Sequence, residues 1–227
     1  MGDSKRGFVP RGTNPQNKKR NGRCWTGTAG AGTVAEESTQ IHTPRRGALP
    51  PAATNVGTVH VVGLETITDA DWRQVIAGEP EPWGGVGESL RWRAKTHNLG
   101  VRDDAGKLVA LAGVLLAEAR VAGAPLQVAG IGGVIVTRVA RGRGLARVMI
   151  ERALQIAGEL PAERAMLFCL PRNVPLYSKF GFQLIPEPVF VRQPSGMIEM
   201  PMRAMWKPLA HDAHWPAGRV ELPDEPF

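Results

Sequence analysis

Residues Gly130 to Ala157, GIGGVIVTRVARGRGLARVMIERALQIA, pass from a strand pattern to a helix pattern through a glycine-rich turn. Gly132-Gly133-Val134-Ile135-Val136-Thr137 is a short apolar, β-branched run bounded by turn signals, the pattern of a buried strand. Val148, Met149, Ala153, Leu154 and Ala157 then recur on one face at helical spacing, which predicts a helix over 145–157. Arg141-Gly142-Arg143-Gly144-Leu145-Ala146 joins the two. Such a turn leaves the first backbone N–H groups of the helix without intrahelical partners, at the positive end of its dipole. Glycine removes the Cβ atoms that keep a ligand away, so main chain alone can cradle a pyrophosphate there. A solvated basic turn capping a core helix is the alternative.

Spacing sorts the known phosphate loops. A Walker A loop needs Lys-Ser/Thr after its last glycine, which this turn lacks; a dinucleotide fingerprint needs a small residue where Arg147 stands. Arg-x-x-Gly-x-Ala remains. A second motif follows at Leu176-Tyr177-Ser178-Lys179-Phe180-Gly181-Phe182, with Tyr177 the only tyrosine of the chain. Asn173 is placed to cap a short helix carrying Pro175 in its first turn, and Gly181 to end it in the left-handed conformation. In order and context, the two motifs resemble the GNAT superfamily of acetyl-CoA-dependent N-acetyltransferases. The family's loop reads Gln/Arg-x-x-Gly-x-Gly/Ala, and its later signature reads Leu-Tyr-x-Lys-x-Gly-Phe.

The resemblance, over about residues 58–185, implies an α/β fold: a central mixed sheet with helices on both faces. It implies acetyl-CoA as co-substrate, no metal, and direct transfer of the acetyl group to the amine of a small molecule. Backbone of Val134 and Val136, with Ile135 between, would meet the pantetheine arm. The amides of Arg141, Gly142, Arg143, Gly144, Leu145 and Ala146 would hold the pyrophosphate. Tyr177 would protonate the departing thiolate, which a phenol of pKa near 10 does without prior ionisation. Many relatives carry an asparagine seven residues before this tyrosine; here that residue is Leu170, so the role is not carried to Asn173. The chain is most similar, distantly, to the branch of aminoglycoside 2′-N-acetyltransferases. Where those enzymes carry a glutamate just before Gly-Val-x-Val, this chain has Gly132. The base that frees the amine is then open among Glu88, Glu118, Glu199, Asp224 and the terminal carboxylate of Phe227. A non-catalytic CoA sensor of the same fold, and an acyltransferase for peptide or protein amines, are the rival readings.

The net charge of +7 invites a nucleic-acid reading, but residues 1–57 hold nine Lys/Arg against three acids. Residues 58–227 hold 19 against 18. Residues 1–57, rich in Gly, Pro, Ser and Thr without apolar periodicity, are expected to be a disordered basic tail ahead of one domain over 58–227. No nucleic acid is expected on that domain, and no apolar run suits a secretory signal or a membrane span. Cys24 and Cys169 imply no disulfide framework and fit a cytoplasmic setting; a homodimer is compatible.

Along the chain, 58–62 reads as a first strand, and Thr68 or Asp69 as the cap of a helix ending at Gly78. Glu88 to Lys95 is expected to be helical. A hairpin turns at 103–106 into a nearly continuous apolar run over 107–119, as for a strand covered on both faces. Strands are expected again over 126–136 and 164–170; 184–191 follows, then a turn at 193–196 and a last apolar stretch over 197–209. The end from Trp215 reads as aromatic and proline-rich, and His211-x-x-His214 as a surface loop, since no ligand stands at metal spacing.

Overall fold

The computed structural model describes residues 55–56, 59–77 and 85–227. The expected tail therefore lies outside the described residues, except that Asn55–Val56 (β1) pairs with His60 and Val59. The other strands are β2 Val59–Leu64, β3 His97–Arg102, β4 Leu108–Val121, β5 Ala124–Val136, β6 Arg164–Cys169 and β7 Gln183–Leu184. After these come β8 Val189–Gln193, β9 Gly196–Glu199, β10 Arg203–Pro208 and β11 Val220–Leu222. The helices are α1 Asp69–Ile76, α2 Leu145–Glu159 and α3 Val174–Ser178.

One mixed sheet runs β1-β2-β3-β4-β5-β6-β10-β7, with β11 joining β4 to β8 and β9 beyond β8. The α/β expectation holds. β4 is its spine, buried almost throughout, as its unbroken apolar run requires. Ala110, Ala112 and Val114 face a cluster built on α2 (Val148, Met149, Ala153, Ile156, Ala157). Leu108 and Leu111 pack with Val75 of α1. Leu115, Ala117, Ala119 and Val121 meet residues of β8, β10 and β11. One strand thus meets α1, α2 and the group of β8, β10 and β11.

Local chemistry accounts for the helix starts. Thr68 begins α1 with a reciprocal capping box: its hydroxyl accepts from the Asp71 N–H at 3.1 Å, and its own N–H donates to the Asp71 carboxylate at 3.0 Å. Those Thr68 bonds, with Arg102 a smaller contributor, hold the Asp71 carboxyl below its usual range.

Two expectations are corrected. Glu88–Lys95 is not helical: a single 3-10 turn covers Val86–Ser89 and the chain then runs irregular and extended to β3. Leu90 and Trp92 stand two apart, the period of an extended segment. Gln193 clamps that segment, accepting from the Arg91 N–H at 2.8 Å and donating to the Arg91 carbonyl at 3.1 Å. Asn173 makes no side-chain cap for α3, which follows a 3-10 turn over Pro171–Asn173. Gly181 is left-handed as expected, with φ of 82°. The end of the chain is more than a tail, since β11 lies parallel to β8 and antiparallel to β4.

Candidate active site

β5 and β6 pair in parallel only over Ala129–Ile131 and Ala165–Leu167, then separate. Two features of β5 drive the parting. An extra residue on β5 shifts its register against β4 between Leu111 and Gly113, and Gly133 takes φ of 63° there. The bulge bends the strand away, a conformation that glycine adopts without strain. Beyond it, the Thr137 N–H still donates to the Val109 carbonyl on the β4 side. Alternation therefore turns the main-chain groups of Val136 and Val134 toward the edge that β6 has left. The Arg141 Nε donates to the Val136 carbonyl at 3.2 Å on that edge.

A cavity of about 740 Å³ occupies the opening. Val134 and Ile135 line it, together with Phe168, Cys169 and Leu170 at the end of β6 and Tyr177 from α3. Its other walls come from α1 and the segment before it (Glu65, Asp69, Trp72), from Trp92 to Asn98, and from Phe227. Tyr177 is buried, edge-on to Phe182 at 6.0 Å. Burial, with Cys169 adding to it, keeps its hydroxyl well above the ordinary phenol range, so the proton stays on. The Cys169 thiol is pushed up to about 11 by burial and donates to the Met205 sulfur at 3.7 Å. It is a packed core thiol rather than a nucleophile.

The remaining expected cofactor residues sit outside the cavity, past the end of β5. Gly142 and Gly144 are left-handed, with φ of 79° and 78°, and a Cβ built on either would meet nothing within 4 Å. Gly144 begins α2 without any side-chain cap, and the first turn carries no acid. Arg143 is exposed, while Leu145 is buried and anchors the turn to the core. The Arg141 N–H donates to the Arg138 carbonyl at 3.4 Å, and the loop from Gly142 to Ala146 presents open main chain at a helix N-terminus, as an anion requires. Val134, Ile135 and Tyr177 come together in the cavity, and the loop stands beyond the edge that Val136 exposes.

The profile described as a GNAT acetyltransferase domain matches residues 65–185, more than half of the chain. This chain belongs to the GNAT family. Among solved structures, a GNAT family N-acetyltransferase from Escherichia coli in complex with CoA is 22% identical, with a TM-score of 0.52 over 72% of this chain and 89% of that one. A GNAT family acetyltransferase from Brucella melitensis in complex with acetyl-CoA is 18% identical, over 71% of this chain and 94% of that one, with a TM-score of 0.46. No curated protein matches the sequence.

The candidate bases fare unevenly. Glu118 is paired with Arg120 at 3.0 Å, and neither it nor Glu199 lines the cavity. Asp224 is held by Arg93 at 3.0 Å. The side chain of Glu88 lies outside the described residues. Phe227 does reach the cavity: a Cβ on Gly132 would come within 2.5 Å of its carbonyl carbon. Sequence reasoning missed Glu65, Asp69, Arg93 and Lys95, and left Asn173 without a role although it too lines the cavity. The motifs carry no signal for them, because the contacts that gather them span the chain. His211 and Asp212 are paired and exposed, and neither lines the cavity.

Proposed function

We propose that the chain is an acetyl-CoA-dependent N-acetyltransferase that acts on the amine of a small molecule. The observation that carries this reading is the single cavity joining the freed edge of β5 to the Tyr177 side chain. The main-chain groups of Val134 and Val136 suit the pantetheine amides, as an added strand would. Open N–H groups from Gly142 to Ala146, with Arg141 at the head of the loop, suit the pyrophosphate. Acetyl-CoA brings an activated acyl group, so the protein need only align and stabilise. Holding amine and thioester together supplies much of the rate, and N–H groups of the β5 edge favour the charge that builds on the carbonyl oxygen.

In the reaction, the neutral amine forms the new C–N bond as the C–S bond breaks. Tyr177 hands its proton to the leaving sulfur and recovers one from the new ammonium through solvent. Its raised pKa keeps the hydroxyl protonated until the thiolate forms, and makes the transfer itself uphill. Burial raises the basicity of a thiolate released against the same wall, which narrows that gap. Aromatic walls from Trp72, Trp92, Phe168 and Phe227 bound the space around the acceptor, which favours a small molecule over a folded protein.

Calorimetric titration of acetyl-CoA, followed by thiol release over a panel of amines, tests the reading. Binding with turnover on small amines supports it. Binding without turnover on any amine favours a CoA sensor, and turnover on peptides alone shifts the acceptor class.

A further inference from the structure

Apart from the Tyr177 wall, the feature of the cavity with most unspent chemistry is Lys95. Its aliphatic stem crosses two glycines that face each other across the sheet, Gly113 of β4 and Gly132 of β5. A Cβ on Gly113 would come within 2.4 Å of the Lys95 Cγ, and one on Gly132 within 2.9 Å of its Cε. Any side chain at either position would displace the lysine. The paired glycines form a track that delivers an ammonium to the cavity wall two residues before Val134.

That ammonium has one hydrogen bond, donated by its Nζ to the Arg93 carbonyl at 2.8 Å, and no ion pair among the described residues. Glu65, Asp69 and the terminal carboxylate of Phe227 border the same cavity, and the Phe227 carbonyl carbon lies over Gly132 as the Lys95 Cε does. Arg93 is committed to Asp224 and to the Leu116 carbonyl, each at 3.0 Å. Glu65 and Asp69 are exposed at the cavity. Burial, and then repulsion from Arg93, lower Lys95 to about 8, which leaves it charged at neutral pH. A desolvated cation with donors to spare gains most from an anion.

We propose that Lys95 is the acceptor's counter-ion: it takes a carboxylate carried by the substrate amine, so the acceptor is an amino acid or a similar amino-carboxylate. This rests on the N-acetyltransferase reading above. A carboxylate on Lys95 leaves the amine, a few bonds away, beside Val134, where the thioester is expected. The same lysine disfavours polycations. The position at which the aminoglycoside branch carries a glutamate is here Gly132, and the lysine stem and Phe227 lie over it.

The test uses the full chain with acetyl-CoA, the common L-amino acids, their α-carboxamides and the matching monoamines. Wild-type protein is expected to turn over at least one acid with KM roughly tenfold or more below that of its amide. Lys95→Met should raise KM for the acid roughly 10- to 100-fold, with a smaller effect on kcat and little on the amide. Lys95→Arg should restore part of the loss. Equal use of acids and amides overturns the proposal, as does a Lys95→Met loss shared by both. A matching loss in acetyl-CoA affinity would assign the lysine to the donor and overturn it too. Acetyl-CoA binding with turnover confined to amines lacking an acid sinks this proposal alone. No acetyl-CoA binding by the wild type removes the enzyme reading itself.

Discussion

Tyr177 and Lys95 sit in one cavity, and burial acts on them in opposite directions. It favours the neutral form of each, raising the phenol and lowering the ammonium. For Tyr177 the neutral form is the one the proposed proton transfer uses. Tyr177→Phe keeps the ring against Phe182 and removes only the proton, so kcat should fall roughly 100-fold. Acetyl-CoA affinity, followed by calorimetry, should stay within about twofold. For Lys95 the neutral form is the idle one, and its charge costs stability. The unfolded lysine titrates near 10.5 and the folded one near 8, so between these values the unfolded chain binds more protons. Stability from this group therefore rises as pH climbs from 8 to 10.5, and is lowest below 8. Lys95→Met should accordingly stabilise the protein at pH 7 by about 2 kcal/mol, with the gain shrinking by pH 10. Arg93, Glu65, Asp69, Cys169 and Tyr177 are the titratable or charged neighbours around the same cavity. Thermal melts of both proteins at the two pH values check it, and a constant difference would disprove the titration argument.

At the scale of elements, the start of α2 is the part most open to direct test. Gly144→Glu sets a carboxylate among open N–H groups meant for an anion, and should weaken acetyl-CoA binding by more than about 100-fold. Gly144→Ala separates the backbone effect. It has room for its Cβ but a left-handed backbone, so it should cost about 1 kcal/mol of stability while binding persists. Calorimetry and melts on both variants check the pair; equal binding losses would mean that strain, not charge, is responsible. This loop was readable in the sequence because strand, turn and helix are written consecutively, each in its own period. The Tyr177 motif was readable for the same reason. What escaped is what distant residues impose. The stretch after Ser89 is drawn out by Gln193 and by the Pro226 carbonyl, which accepts from the Arg93 N–H at 2.7 Å. β11 is a strand because β4 and β8 leave it a place. Neither Lys95 nor the Phe227 ring has a local pattern to announce it, although the glycines of GIGG, read as a strand and turn signal, also make the room both require.

The sheet carries apolar clusters of different makeup, and the cavity reaches between them, so fold and site share a boundary. Phe227 belongs to that boundary. Its ring is 2% exposed, lies 5.3 Å from that of Phe168, and sits where a Cβ on Gly130 would be, 2.6 Å from that point. Removing the ring should cost about 3–5 kcal/mol through lost burial and a residual void. Gly130→Ala should cost about 1–3 kcal/mol by forcing the ring out of its seat. The two losses compete for one space. When Phe227→Ala is combined with Gly130→Ala, the methyl added on β5 meets no ring and fills part of the void. The double variant should therefore be more stable than the sum of single losses allows, by at least about 1 kcal/mol. Urea unfolding of the four proteins measures the coupling, and simple additivity would mean that ring and strand do not fit as described. The same variants separate structure from selectivity. Phe227→Ala, alone or in the double variant, enlarges the acceptor wall beside Lys95 without touching the α2 loop. Acetyl-CoA affinity should hold while bulkier acceptors gain relative to small ones, measured as ratios of kcat/KM across the panel.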